Sequence, residues 1–529
     1  MKQASIDSTG FRILLIVVLI IGISFRFINI DKKVYWHDEV YTSIRISGYN
    51  GAYSKDLFSG EVLTPDDFLE FQRPSPDRGW DDALFAFSLH PEHPPLYYIL
   101  ARAWVLIFGA SVASIRSLSV WISLLIFPCF YWLCWELFRS PKVGWMAVLL
   151  VAVSPFHVLY AQEAREYSLW TTTILLSSAS LLRAIYQQKQ GTPKLENLKN
   201  WSLYCLTLTL CLYTSLLSGA VAIAHGIYML LIERFRWTRY FSSFLISSLT
   251  ASLLYFPWIL QIFNNFEKMQ AQTAWTTGAV GLTELISRWE LHFSSVFIDI
   301  HPNINSWIIA RISIFFFFAL GYSIYCLYRQ TPRNVSWLII TLIFIPALPL
   351  MLPDVILGGQ RSINTRYFVP SYIGVQIAVA YLLCHPQWIQ PKIRPIILPL
   401  ILTCGIVSCV FSAQAETWWT KSASYLNAEA ANIINQAERP LVVSDNQGLN
   451  SGNIISLCHH LDSNVRLQLV TQPQVPEIPS GFSTIFLYNP SENLLSNIED
   501  EYTFITNPIT SYESLLYEFE DSESTRSQN

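Results

Sequence analysis

Seven consecutive residues, Tyr35-Trp36-His37-Asp38-Glu39-Val40-Tyr41, place two carboxylates and an imidazole among aromatic rings just beyond an apolar run. Where membrane meets water, such a carboxylate can take the proton of a hydroxyl nucleophile. The competing reading is a solvated acidic turn with Trp and Tyr anchors at the interface. A second group, His90-Pro91-Glu92-His93-Pro94-Pro95-Leu96-Tyr97-Tyr98, has two histidines flanking a carboxylate. It could ligate a metal, but Pro91 interrupts the ligand spacing, and the paired prolines favour a stiff helix start. A third runs Tyr160-Ala161-Gln162-Glu163-Ala164-Arg165-Glu166-Tyr167 and packs four polar or charged groups into a very short loop between apolar runs. Ionisable groups held against a bilayer are costly, so they have a task or a partner; a local Glu–Arg pair capping a helix is the plain alternative. Arg116 opens another apolar run, where snorkelling to lipid headgroups would explain it. Arg361 and Arg366 lie in GGQRSINTRYFVP. A guanidinium fork binds phosphate bidentately and stays charged at an interface; headgroup anchoring is the rival reading.

The elements that must position these groups follow from composition. The chain has 529 residues, 52% of them apolar and only 14% charged, against about 25% in a soluble domain. This excludes a disordered chain, a disulfide-stapled secreted domain and an ordinary soluble enzyme. Runs near 20 apolar residues fall at 11–30, 115–138, 143–160, 168–186, 201–217, 219–232, 240–262, 306–328, 335–352, 367–384 and 395–412. These predict a polytopic all-α membrane protein with about 11 transmembrane helices. The nine cysteines sit singly, eight of them in apolar runs, and no pairing is expected.

Charge distribution sets the orientation. With residues 94–109 excluded as a span, Arg139, Lys142, Lys189, Lys194, Lys199, Arg234, Arg236, Arg239, Arg329, Arg333, Lys392 and Arg394 all fall on one side, which is therefore cytoplasmic. Arg165, Lys268, Arg288, Arg361 and Arg366 fall on the other. The 94–109 segment contains Arg102 and would reach only about 24 Å, so it is expected to lie as a helix at the outer interface. The first span has no small-residue cleavage site and reads as an uncleaved anchor with a cytoplasmic N-terminus. Residues 415–529 hold 15 acidic and 4 basic side chains. Strand-like runs (LVVSD, VRLQLV, STIFLY, SLLYEFE) alternate there with helical ones around 452–461 and 492–501. The expected division is a transmembrane domain over 1–414 (first outer loop 31–112), an extracytoplasmic α/β domain over 415–520 and a disordered tail at 521–529. The carboxylates and arginines then share the outer face, where they form one pocket.

The order of these motifs resembles the GT-C class of membrane glycosyltransferases: the acidic pair after the first span, then HPPLYY, FGASVASIRSLSV, SPFHVLYAQEAREYSL and later RYFVP. Within that class it is most similar to the family 39 protein mannosyltransferases, the lipid A aminoarabinose transferases and the lipopolysaccharide-core galacturonosyltransferases. The resemblance is specific over residues 10–200 and loose beyond. It implies that Asp38 is a catalytic base or aligns the acceptor, with Glu39 as its catalytic neighbour. It implies that Arg116 matches the arginine the protein mannosyltransferases need. Glu163 and Arg165 would match site residues of the second outer loop. The chain departs from the mannosyltransferases in having Tyr167-Ser168-Leu169 where they carry an Asp.

The expected activity is transfer of a sugar from a polyprenyl-phosphate donor to an extracytoplasmic acceptor, with inversion. Asp38 and Glu39 would be catalytic, and Arg116, Arg165, Arg361 and Arg366 would bind the donor phosphate. His37, His93, Tyr97, Glu163, Tyr167 and Tyr367 would contact substrate. No cofactor is required, a divalent metal is compatible but no ligands are assigned, and no nucleic acid is expected. The resemblance places the chain in a bacterial plasma membrane, partnered by the lipid-linked sugar, its acceptor and the bilayer. The alternative from another class is a transporter or lipid-carrier flippase without transferase chemistry. Transporters usually show two related halves and mid-span charges, and neither is visible here.

Overall fold

The computed structural model describes residues 9–51, 54–300, 306–502, 504–508 and 515–521. The chain forms two compact units: 1–30, 88–100 and 116–414 make the first, and 31–87, 101–115 and 415–529 the second.

The first unit is helical. All eleven expected spans coincide with helical stretches. By length and composition, five helices could each cross a membrane among the described residues, or up to seven if each of two bent pairs counts as one span. The segment expected at the interface is a 13-residue helix, Leu96–Phe108, too short to span. The first helix, Thr9–Phe27, exposes Ile13, Ile16 and Ile20 along one stripe and buries Val18, Gly22 and Arg26 along another. An apolar stripe left exposed in this way suits lipid rather than water.

The buried stripe meets a broken span. Pro155 has no N–H to give, so helix Pro141–Ala152 ends before it and Pro155–Ala161 continues at a 62° bend. The break frees carbonyls in the apolar interior. Arg26 Nη1 donates to Ala152 O at 2.8 Å and to Gly22 O at 2.6 Å, and Nη2 donates to Val151 O at 3.3 Å. The approach is close enough that a Cβ on Gly22 would stand 2.2 Å from Ala152 O. Glycine is required here to let the backbones touch. Gln162 Nε2 donates to Phe25 O at 2.9 Å and Ile28 O at 2.8 Å, tying the next turn to the end of the first helix.

The second unit holds a six-stranded sheet in the order β1-β3-β2-β4-β6-β5. The strands are β1 (Ser59–Leu63), β2 (Pro440–Asp445), β3 (Arg466–Val470), β4 (Thr484–Tyr488), β5 (Phe504–Pro508) and β6 (Leu516–Asp521). β2 pairs parallel with β3 and β4, and β1, β6 and β5 are added antiparallel. β2 is buried at all six positions, as a central parallel strand must be. Leu441, Val443, Val470, Leu487, Leu494 and Ile498 form its core. Four strands and both helices match the expected runs. β1 lies in the first loop, so the sheet is not built from the tail alone. Residues 522–529 of the expected tail lie outside the described residues.

Candidate functional site

The acidic pair belongs to the second unit. Asp38 and Glu39 open helix His37–Ile46, where carboxylates favour the positive end of the helix dipole. Asp38 is half-buried, and its carbonyl accepts from Thr42 Oγ1 at 3.0 Å. Glu39 is fully buried, and Lys421 Nζ lies 3.3 Å from its Oε2. Lys421 is equally buried and sits 5.4 Å from the centre of the Trp36 ring. A charge pair out of water needs both partners, so Glu39 and Lys421 hold one another in place. His37 donates its backbone N–H to Ser424 Oγ at 3.1 Å, and its ring meets Tyr41 edge-on at 4.9 Å. A Cβ on Gly452 would stand 2.6 Å from His37 Nδ1, so helix Asn450–Cys458 also packs directly on it. Asp38 is thus set on a helix that Lys421, Ser424 and Gly452 of the tail all meet. Burial pushes the Cys458 thiol in that helix well above its ordinary range.

The arginines assigned to the donor phosphate belong to the first unit. The turn at 162–166 joins helices Pro155–Ala161 and Tyr167–Lys189, and Glu163, Arg165 and Glu166 are all buried in it. Arg165 Nε lies 3.3 Å from Glu166 Oε2, Nη1 donates to Tyr98 Oη at 3.1 Å, and Nη2 is 3.4 Å from His93 Nδ1. His93 is also 3.9 Å from Glu166 and 4.0 Å from Glu92. Tyr97 Oη bonds Ser119 Oγ at 2.8 Å, and Ser119 Oγ reaches Arg165 O at 3.3 Å. Sequence-distant His93, Tyr97 and Arg165 therefore form one network. Arg366 is buried beside two rings, 6.0 Å from the Tyr167 centroid and 5.6 Å from that of Tyr367. Arg116 is fully buried, and Nη1 donates to Ile30 O at 2.9 Å.

Arg361 is placed differently. Its Nη1 lies 3.1 Å from Asp354 Oδ1 and from Gly358 O, and the Asp354 side chain is fully buried. Ser362 donates twice more to the same carboxylate, at 2.7 Å each time. Its charge is met by Asp354 of the preceding helix, Leu348–Leu357. Arg26, Glu166, Tyr98 and Lys421 were not singled out as site residues. Glu166 and Tyr98 belong to the 160–167 and 90–98 motifs, but only the fold shows what their side chains reach.

An apolar cavity of about 510 Å³ lies among helices Leu282–Ser294, Ser306–Gln330, Arg333–Phe344, Leu348–Leu357 and Val369–Cys384. Phe293, Phe317, Phe344 and Met351 line it. Trp289, also in its wall, donates from Nε1 to Ser362 Oγ at 2.9 Å, so the cavity borders the turn that leads to Arg366. Among the described residues no three His, Cys, Asp or Glu side chains are arranged to hold a metal ion.

No family model matches the chain. No curated protein matches it either. Solved structures do. The fold is similar to that of ArnT from Cupriavidus metallidurans bound to undecaprenyl phosphate, with a TM-score of 0.55 at 13% identity, covering 97% of this chain and 98% of that one. The apo state of the same protein gives 0.54 at 12% identity, with the same coverage. The Archaeoglobus fulgidus oligosaccharyltransferase in complex with Zn and sulfate gives 0.50 at 13% identity, covering 87% and 62%. The chain therefore has the fold of the GT-C membrane glycosyltransferases.

Proposed function

We propose that this chain is an integral-membrane glycosyltransferase that moves a sugar from a polyprenyl-phosphate donor to an acceptor outside the cytoplasm. The observation that carries this reading is the apolar cavity bordering the Arg361–Phe368 segment. An amphiphile with a long hydrocarbon chain and an anionic head matches it, and a structure with a similar fold was solved with undecaprenyl phosphate. In the reaction, the acceptor hydroxyl attacks the anomeric carbon, the carbon–oxygen bond to phosphate breaks, and the carbon inverts. Negative charge builds on the departing prenyl phosphate, and Arg366 and Arg165 are assigned to stabilise it. Asp38 is assigned to take the acceptor proton. Glu39 acts through helix His37–Ile46, which its pair with Lys421 anchors. Arg116, bonded to the backbone just before the first loop, holds the start of that loop. Which sugar is moved follows from contacts assigned to His37, His93, Tyr97, Glu163, Tyr167 and Tyr367.

Asp38→Asn tests the assignment. It should lower transfer from a labelled prenyl-phosphate sugar by at least about 10³-fold, within the usual range for losing a base and its orientation together, while membrane insertion and thermal stability stay unchanged. Full activity of this variant removes Asp38 from the mechanism. Orientation is testable separately: a reporter fused after Gly191 should be cytoplasmic and one fused after Ser424 extracytoplasmic.

A further inference from the structure

One buried hydroxyl in the first unit is used by nothing described so far. Tyr160 is 2% exposed at the end of helix Pro155–Ala161, and its Oη has no hydrogen-bond partner among the described residues. Its ring is fixed between Phe156, at 4.7 Å, and Tyr167, edge-on at 5.0 Å, so the hydroxyl cannot swing out to find water. Its backbone carbonyl accepts from Ser168 Oγ at 3.1 Å, which holds the turn from the other side. Burying an unpaired hydroxyl costs free energy that phenylalanine in the same place would not. The Arg366 guanidinium lies 6.0 Å from the centre of that same Tyr167 ring, and Tyr372 packs on Phe156 with ring centres 4.7 Å apart. Tyr372 Oη is already bonded to Thr365, which leaves Tyr160 as the unused phenol of the set.

We infer that the Tyr160 hydroxyl is a binding group for the donor phosphate, donating a hydrogen bond to a phosphate oxygen that Arg366 neutralises. A neutral O–H donor beside a guanidinium recognises an oxyanion without adding a second charge, and such charge-assisted bonds are the strong ones. This inference rests on the polyprenyl-phosphate reading given above.

The experiment uses the full chain in lipid nanodiscs, comparing wild type with Tyr160→Phe. Three probes are titrated: undecaprenyl phosphate, undecaprenol and inorganic phosphate. Thermal unfolding of both proteins is recorded alongside. Tyr160→Phe should weaken undecaprenyl phosphate about tenfold, leave undecaprenol unchanged, and unfold at the same temperature or higher. Inorganic phosphate should bind far more weakly than the lipid phosphate in both. Equal undecaprenyl phosphate affinity in the two proteins overturns the role of Tyr160 while leaving the donor reading intact. Equal losses for the lipid phosphate and the alcohol, with a lower unfolding temperature, would make Tyr160 a packing residue and also overturn it. A wild type that binds no undecaprenyl phosphate overturns the donor reading itself, and the inference falls with it.

Discussion

In the first unit Arg165 meets Glu166, its neighbour in the chain, and then gathers Tyr98 and His93 from a segment some way upstream. In the second unit Glu39 meets Lys421 across 382 residues, and the ammonium also lies 5.4 Å from the centre of the Trp36 ring. Both pairs are buried, yet they are insured differently. The local pair forms as soon as one turn forms and keeps other partners if a carboxylate is lost. The distant pair exists only once the first loop and the tail have folded together. One pair sits in a turn between two helices of the first unit, whereas the other ties the first loop to the tail within the second.

Breaking the distant pair should have the largest effect. Lys421→Met removes the cation beside the buried Glu39 carboxylate and should cost about 3–5 kcal/mol of stability, read as early unfolding of the second unit. Glu39→Leu combined with Lys421→Met should recover most of that loss, because two apolar side chains leave no buried charge. If the single and double variants unfold alike, the pair is not what holds the helix. Gly22→Ala comes next. Its new Cβ must push against the Ala152 carbonyl that Arg26 also bonds, so about 1–3 kcal/mol should be lost. An unaltered unfolding temperature would mean that the contact is not tight. Glu166→Gln should cost less, about 1 kcal/mol, since Arg165 keeps its bond to Tyr98 and its place beside His93. Its effect should appear in donor affinity instead, and a stability loss as large as that of Lys421→Met would erase the contrast between the pairs. The smallest effect is none at all. Cys458, buried and with its thiol pushed up by burial, should resist alkylation in the folded protein and react only on unfolding.

The parts legible in the sequence are those with local causes. Apolar runs fix helices, and short strand-like runs set between helix-like ones mark β2, β3, β4 and β6. Asp38 and Arg165 stand out because a charge beside a bilayer is conspicuous in one dimension. β1 was not legible: Ser59–Leu63 is short and mostly exposed, and only pairing with β3 makes it a strand. Neither was the partnership of Lys421 with Glu39, nor that of Arg361 with Asp354, which decides that this arginine's charge is already met. Arg26 reads as the basic end of a span, and only the 62° break shows why its guanidinium is turned inward onto backbone carbonyls. Tyr160 reads as one more interfacial aromatic until its hydroxyl is found buried.

The central claim is that the chain transfers sugar from a lipid phosphate. The direct measurement supplies purified full-length protein with a panel of labelled prenyl-phosphate sugars and cell-envelope extract, and follows both products. The account predicts that label from at least one donor moves to an envelope acceptor, with one prenyl phosphate released per sugar transferred and no transfer by Asp38→Asn. Vectorial movement of an intact prenyl-phosphate sugar across the membrane, with no bond broken for any donor, would contradict it.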